Sequence, residues 1–333
     1  MRIGLVGTGR IGAFHARTLG TLDQVDAVVV TDADPLRAKQ TADTLGLEFA
    51  PDVEALFGAG LDGVVIAAAT AAHPDLILRA VAAGLPVFCE KPVATDIDGT
   101  LLVLERMEGS DVPVQIGFQR RFDAGYTAAR EAVRAGQLGW VHTLRATTMD
   151  PAPPPAEYIA TSGGFFRDCS VHDFDAIRWV TGHEVVEVYA VGANRGADFF
   201  RAAGDVDTAA ALLTMDDGTV ALVSGTRYNA AGYDVRLEVL GSAGDMAAGL
   251  DERLPLRSAE PGISWPVGPA YPGFMERFQA AYEAELATFV AVATGRIASP
   301  CTVVDALEAF YVAEACETSR RAHRPVPLAE IRR

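Results

Sequence analysis

Lysine is nearly absent from this 333-residue chain: of 28 basic residues only Lys39 and Lys91 are lysines, and the rest are arginines. A sequence that uses arginine wherever a plain positive charge will do keeps an ammonium for work a guanidinium cannot perform, such as tunable proton chemistry. Excess positive charge is also missing. The net charge is −16, and the nearest candidate for a basic patch, Arg120-Arg121, is only a pair, so no nucleic-acid partner is expected. Cysteine is sparse. Cys89, Cys169, Cys301 and Cys316 are scattered without a CxxC pair, which excludes a disulfide framework and a zinc ribbon and fits a reducing, cytoplasmic setting. The uncharged run at 63–74 falls well short of the ~20 residues needed to cross a bilayer. Residues 1–6 read as a buried strand, not as a secretory leader, so no membrane association is expected. What remains is ordinary globular material, half of it hydrophobic and 22% charged, with a length suited to two domains.

Short uninterrupted apolar runs at 3–6, 25–31, 63–68, 86–89 and 113–117 alternate with helical patterns at 11–19, 35–44, 51–56, 74–83 and 98–107. Strands without polar alternation are covered on both faces, as in a parallel βαβ sheet. From about residue 140 the pattern changes. Strands are expected at 144–148, 186–191, 208–215, 219–226 and 235–240, with Asp216-Asp217-Gly218 turning one hairpin. Helices are expected at 168–180, 274–294 and 303–321, and the four prolines of 151–155 make a stiff loop. The fold class is therefore α/β: an N-terminal Rossmann dinucleotide-binding domain at 1–118, then at 119–333 an α+β domain with a large open, mainly antiparallel sheet. An open sheet needs its bare face covered, so a homo-oligomer is expected.

Gly7-Thr8-Gly9-Arg10-Ile11-Gly12 follows the first strand and opens a helix. The spacing suits a pyrophosphate at a helix N-terminus, with Gly7, Gly9 and Gly12 giving the turn, the close approach and the tight packing, and Arg10 and Ile11 on the loop. Asp32 ends the second strand 20 residues after Gly12, where a carboxylate binds ribose hydroxyls. That carboxylate favours NAD, although Arg37 leaves room for NADP. Thr70 and His73 follow the strand at 63–68. His73 either lines the cofactor cleft or caps a helix and fills the core.

Two segments carry acid–base chemistry. Lys91, in Cys89-Glu90-Lys91-Pro92, lies at the carboxyl end of a strand, where a buried ammonium can hold a substrate hydroxyl. Asp168, His172 and Asp175 stand at i, i+4 and i+7, on one face if the segment is an α-helix. An imidazole there can take a hydroxyl proton, with Asp168 orienting it and Asp175 gripping a second hydroxyl. A solvated helix face carrying a salt-bridged His is the bland alternative. No second His or Cys cluster completes a four-ligand set, so no metal is expected.

These residues resemble the Gfo/Idh/MocA oxidoreductases along essentially the whole chain. Within that family the segments 117–123, 162–168 and 232–236 are similar to the inositol dehydrogenases. The resemblance implies a Lys–Asp–His catalytic group at Lys91, Asp168 and His172, with Glu90 beside the cofactor. Arg121, Asp175 and Tyr233 then match positions on substrate hydroxyls. It further implies a homotetramer and NAD-dependent oxidation of a small polyol or sugar, myo-inositol first. Dehydrogenation of scyllo-inositol, an aldose or another polyol, an NAD-dependent glycoside hydrolase and a non-catalytic sugar sensor stay open. The stretch Thr147-Thr148-Met149-Asp150 departs from members that carry a His there, with Asp150 and Tyr158 as replacements. Tyr282 either faces the substrate or packs between helix and sheet.

Overall fold

The computed structural model describes residues 1–332. Packing divides the chain into two units. The first is Met1–Gln119 with Tyr282–Leu307; the second is Arg120–Ala281 with residues 308 onward.

The first unit is built on β1 (Arg2–Val6), β2 (Ala27–Thr31), β3 (Glu48–Phe49), β4 (Gly63–Ile66), β5 (Val87–Glu90) and β6 (Val114–Gly117). All pairings are parallel, in the order β3-β2-β1-β4-β5-β6. That is a Rossmann arrangement, in which strand order reverses between β1 and β4 and ligands gather at the carboxyl ends beside that point. Val28-Val29-Val30 and Val64-Val65-Ile66 are buried throughout, because helices cover both faces and no position is left for a polar side chain. Three of its helices begin where side chains cap them: Asp34 accepts from the Leu36 and Arg37 amides, Asp52 from Ala55 and Asp96 from Gly99. Each replaces a partner that the first helical turn lacks.

The continuous second domain expected at 119–333 needs correction. Residues 282–307 return to the first unit because its core is incomplete without them. Leu286 and Phe289 join Ile3, Leu5, Val30, Val65 and Phe88 in one buried cluster. The returning segment is also tied to β6, where the Gln115 amide donates to the Glu285 carbonyl (3.2 Å) and the Ile116 N–H to that of Cys301 (2.9 Å).

The second unit holds β7 (Val141–Met149), β8 (Val185–Ala193), β9 (Thr208–Met215), β10 (Val220–Thr226), β11 (Asp234–Gly241), β12 (Asp245–Ala248) and β13 (Val326–Pro327). They form a mixed seven-stranded sheet, β12-β11-β7-β10-β9-β8-β13, antiparallel except for β7 beside β10. Gly218, at φ +88°, turns the β9–β10 hairpin. Alternation is clean in β9, where Ala209, Ala211, Leu213 and Met215 are buried between exposed neighbours. Helices Ala124–Arg134 and Val171–Thr181 pack together, and the latter lies on β7. The first of these, with β3, β12 and β13, was not foreseen. The single helix expected at 274–294 is two, Phe274–Arg277 and Gln279–Ala293, broken at the buried Phe278. No helix among the described residues is long and apolar enough to cross a membrane.

Candidate active site

At the carboxyl end of β1 the glycines answer to different constraints. Gly7 has φ +96°, and a Cβ there would lie 2.5 Å from the Ala67 carbonyl oxygen. A Cβ on Gly12 would lie 1.8 Å from the Gly7 carbonyl oxygen. At Gly9 an added Cβ would meet no protein atom within 4 Å, so that side of the loop is open to a ligand's close approach. Gly9 precedes helix Arg10–Leu19 and no side chain caps the end, leaving amide donors and a positive dipole end for phosphate. The exposed Arg10 and the half-buried Ile11 begin that helix.

Asp32 completes the cradle. Its Oδ2 accepts from the Thr8 amide (2.6 Å) and hydroxyl (3.0 Å), and its Oδ1 accepts from the Asp34 amide (2.9 Å). Arg37 donates to both oxygens, at 3.1 and 2.5 Å. Burial alone would raise this carboxylic acid, but Arg37 and the amide donors outweigh it and bring the pKa down to about 2. The Arg37 side chain is half exposed, so the arginine can leave without opening the core. A capless helix start, an open glycine and an ionised carboxylate one strand away fit NAD, and these residues would hold its phosphates and ribose.

Lys91 is half-buried and immediately follows β5. Its neighbour Glu90 places Oε1 2.6 Å from Nε2 of His15, which is fully buried. His15 was missed in the sequence, although it stands three residues after Gly12 on the phosphate-facing helix. Tyr282 packs edge-on against Phe14 and His15, with centroids at 5.6 and 5.8 Å. His73 is buried, its Nδ1 2.7 Å from the Pro92 carbonyl oxygen and its Nε2 3.0 Å from that of Ala68. It braces the loops after β4 and β5 to one another, while Thr70 begins a short turn beside it. Burial pushes the Cys89 thiol well up, away from reactive thiolate chemistry.

In the second unit the expected α-helix at 168–180 is not uniform. Phe166–Ser170 forms a π-helical turn, and α-helix runs only over Val171–Thr181. The wider turn changes the angular relation of Asp168 to the residues after it, and the single stripe of two carboxylates around His172 is divided. Asp168 accepts from the Tyr158 hydroxyl on Oδ1 (2.7 Å) and from Arg227 on Oδ2 (2.5 Å). Asp175 has turned inward; fully buried, it takes two bonds from Arg121, at 2.9 and 2.6 Å. Beside it Arg120 pairs with the buried Asp173 and donates to the Thr148 hydroxyl (2.9 Å), which in turn donates to Asp173. The basic pair Arg120-Arg121 is thus part of the interior. Tyr233 is buried, and burial pushes its hydroxyl far above the ordinary tyrosine range despite Arg120. Met149, at the end of β7, pairs with Thr226 and Asp234.

Residues 1–118 match the family model described as oxidoreductase family, NAD-binding Rossmann fold, and residues 126–247 match the GFO/IDH/MocA C-terminal domain. The chain belongs to the Gfo/Idh/MocA family. A relative named myo-inositol dehydrogenase Hyg17, from Streptomyces leeuwenhoekii, is 38% identical over 96% of this chain and 98% of its own. Inositol 2-dehydrogenase of Rhizobium meliloti is 35% identical over 99% of both. Among solved structures, scyllo-inositol dehydrogenase from Lactobacillus casei, with bound NAD(H) and scyllo-inositol, superposes with a TM-score of 0.89. It has 32% identity and covers 99% of each chain.

In this Gfo/Idh/MocA oxidoreductase Gly7–Gly12, Asp32, Thr70 and Lys91 come to one sheet edge, because all follow parallel strands. Arg227 was not singled out in the sequence; its partners lie 59 and 77 positions away, and no local pattern announces such a pair. One group of potential metal ligands exists among the described residues, His183 with Asp216 and Asp217 at the β9–β10 turn. It includes none of Lys91, Asp168 and His172.

Proposed function

We propose that this oxidoreductase removes hydride from a secondary alcohol of a cyclic polyol, oxidising myo-inositol, or its scyllo isomer, to the inosose. The observation that carries this reading is the family match across both units together with the presence of Lys91, Asp168 and His172. Relatives named for the myo and the scyllo isomer are 38% and 34% identical over nearly the full length.

Lys91 Nζ donates to the oxygen of the reacting hydroxyl and stabilises negative charge as it develops. His172 accepts the hydroxyl proton as the carbon–hydrogen bond gives up its electron pair and the carbonyl forms. Asp168, a carboxylate held from both sides, orients the imidazole and offsets its positive charge. Bound NAD supplies the ring carbon that accepts the hydride. Arg121 and Asp175 shape the substrate side by fixing the wall on which they pair, and Tyr233 offers a hydroxyl that stays protonated. The isomer is set hydroxyl by hydroxyl. The exposed face of the second sheet carries Tyr189, Leu212 and Leu222 in register across three strands; a second copy of the chain covers it. Four buried cysteines outside any disulfide support a reducing, cytoplasmic setting.

NADH absorbance measured over inositol isomers, aldoses and other polyols tests the substrate class. Steady NADH formation with an inositol is expected, whereas glycoside cleavage without net NADH would replace the dehydrogenase reading. Lys91→Ala and His172→Ala should each lower kcat by roughly 10²–10⁴-fold with NAD affinity retained. Near-normal turnover in either would remove that residue from the chemistry.

A further inference from the structure

Arg227 lies just beyond β10, its side chain 5% exposed. Its backbone amide donates to the Asp207 carbonyl (2.8 Å), and its guanidinium carbon sits 5.4 Å from the centre of the Phe165 ring. Nη1 donates to Asp150 Oδ2 at 2.8 Å, and Nη2 donates to Asp168 Oδ2 at 2.5 Å. The opposite oxygen of Asp168 accepts from Tyr158. The acid assigned to His172 is therefore gripped at both oxygens, and one of the two grips is shared with a second carboxylate.

We infer that Arg227 is a positioning residue for the proton transfer: its fork fixes the orientation and ionisation of Asp168 and couples that carboxylate to Asp150. The inference rests on the proposed role of Asp168 beside His172. A guanidinium suits the task because its donors diverge in a rigid plane and reach two carboxylates at once. An ammonium is a compact point charge and cannot hold both in fixed directions. A nearby positive charge also favours the ionised form of a carboxylic acid, which is the form an imidazolium needs beside it. Arg227 reaches no reacting atom in this account and acts through Asp168.

The test compares R227K, R227A and Y158F with the parent enzyme and with H172A, measuring kcat, polyol KM, NAD affinity and melting temperature. R227K should lose kcat on the order of 10²-fold, the cost of a misplaced reacting group, while KM and NAD affinity stay within about threefold. Low-millimolar guanidinium should raise the kcat of R227A, and equal sodium chloride should not. Parental kcat in R227K overturns the inference. So does a parallel fall of kcat, NAD affinity and melting temperature in both Arg227 variants, which marks a purely structural pillar. Should R227A fail to fold, R227K and Y158F decide: loss of kcat at constant KM in both supports the fork, and parental kcat in both ends it. Near-normal turnover in H172A would instead defeat the underlying reaction, so the two failures are told apart.

Discussion

Asp32 accepts hydrogen bonds from two backbone amides, a hydroxyl and an arginine, so its carboxylate is ionised and aimed before a ribose arrives. With its folded pKa near 2 against an ordinary 3.8, it contributes stability that is fully present above pH 3.8 and is lost as pH falls towards 2. Asp32→Asn should therefore flatten the acid limb of the stability curve in that window, read as denaturant midpoint against pH. It should also weaken NAD binding at neutral pH. An unchanged acid limb would mean that Arg37 does not lower the acid as described. Asp32 was a candidate from spacing, and Lys91 from the scarcity of its residue type along the chain. Arg227 and the Glu90–His15 pair were not, since each joins positions 59 or more residues apart.

For whole elements, periodicity predicted which residues could share a face but not what that face would meet. Helix Val171–Thr181 buries Asp173 and Asp175 alongside Val171, Phe174 and Ile177, a pattern that reads as half-solvated until Arg120 and Arg121 are brought against it. Two ion pairs this deeply buried are tolerable only while both partners of each are present. Asp173→Ala should cost about 3–5 kcal/mol by leaving Arg120 charged and buried. An apolar replacement of both Arg120 and Asp173 should recover much of that loss in chemical denaturation. The π-helical turn ahead of this helix was invisible because a single turn, Phe166–Ser170, is too short to write a period of its own into the apolar pattern. Phe289 makes the complementary case: its helix was foreseen, its destination was not. Phe289→Ala should destabilise the first unit by ~3–5 kcal/mol, measured as the unfolding transition of the NAD-binding unit.

Across the whole molecule, the strand pattern announced both sheets, whereas the lone parallel pair β7–β10 depends on a crossover that no single strand records. The in-register row Tyr189, Leu212 and Leu222 leaves large apolar side chains about two-fifths exposed, more than a sheet face ordinarily gives to water. If a second copy covers this row as proposed, Leu212→Glu should shift the sedimenting mass to a smaller species, and an unchanged mass would overturn that contact. The return of residues 282–307 to the first unit has a consequence for biosynthesis. All of the second-unit sheet up to β12 must be translated before the nucleotide-binding unit can acquire Leu286 and Phe289, although its six strands are made first. The domain that leads in sequence is therefore the one that closes late, and until then the nascent chain carries an unfinished Rossmann core past the ribosome exit, exposed to chaperones or to aggregation.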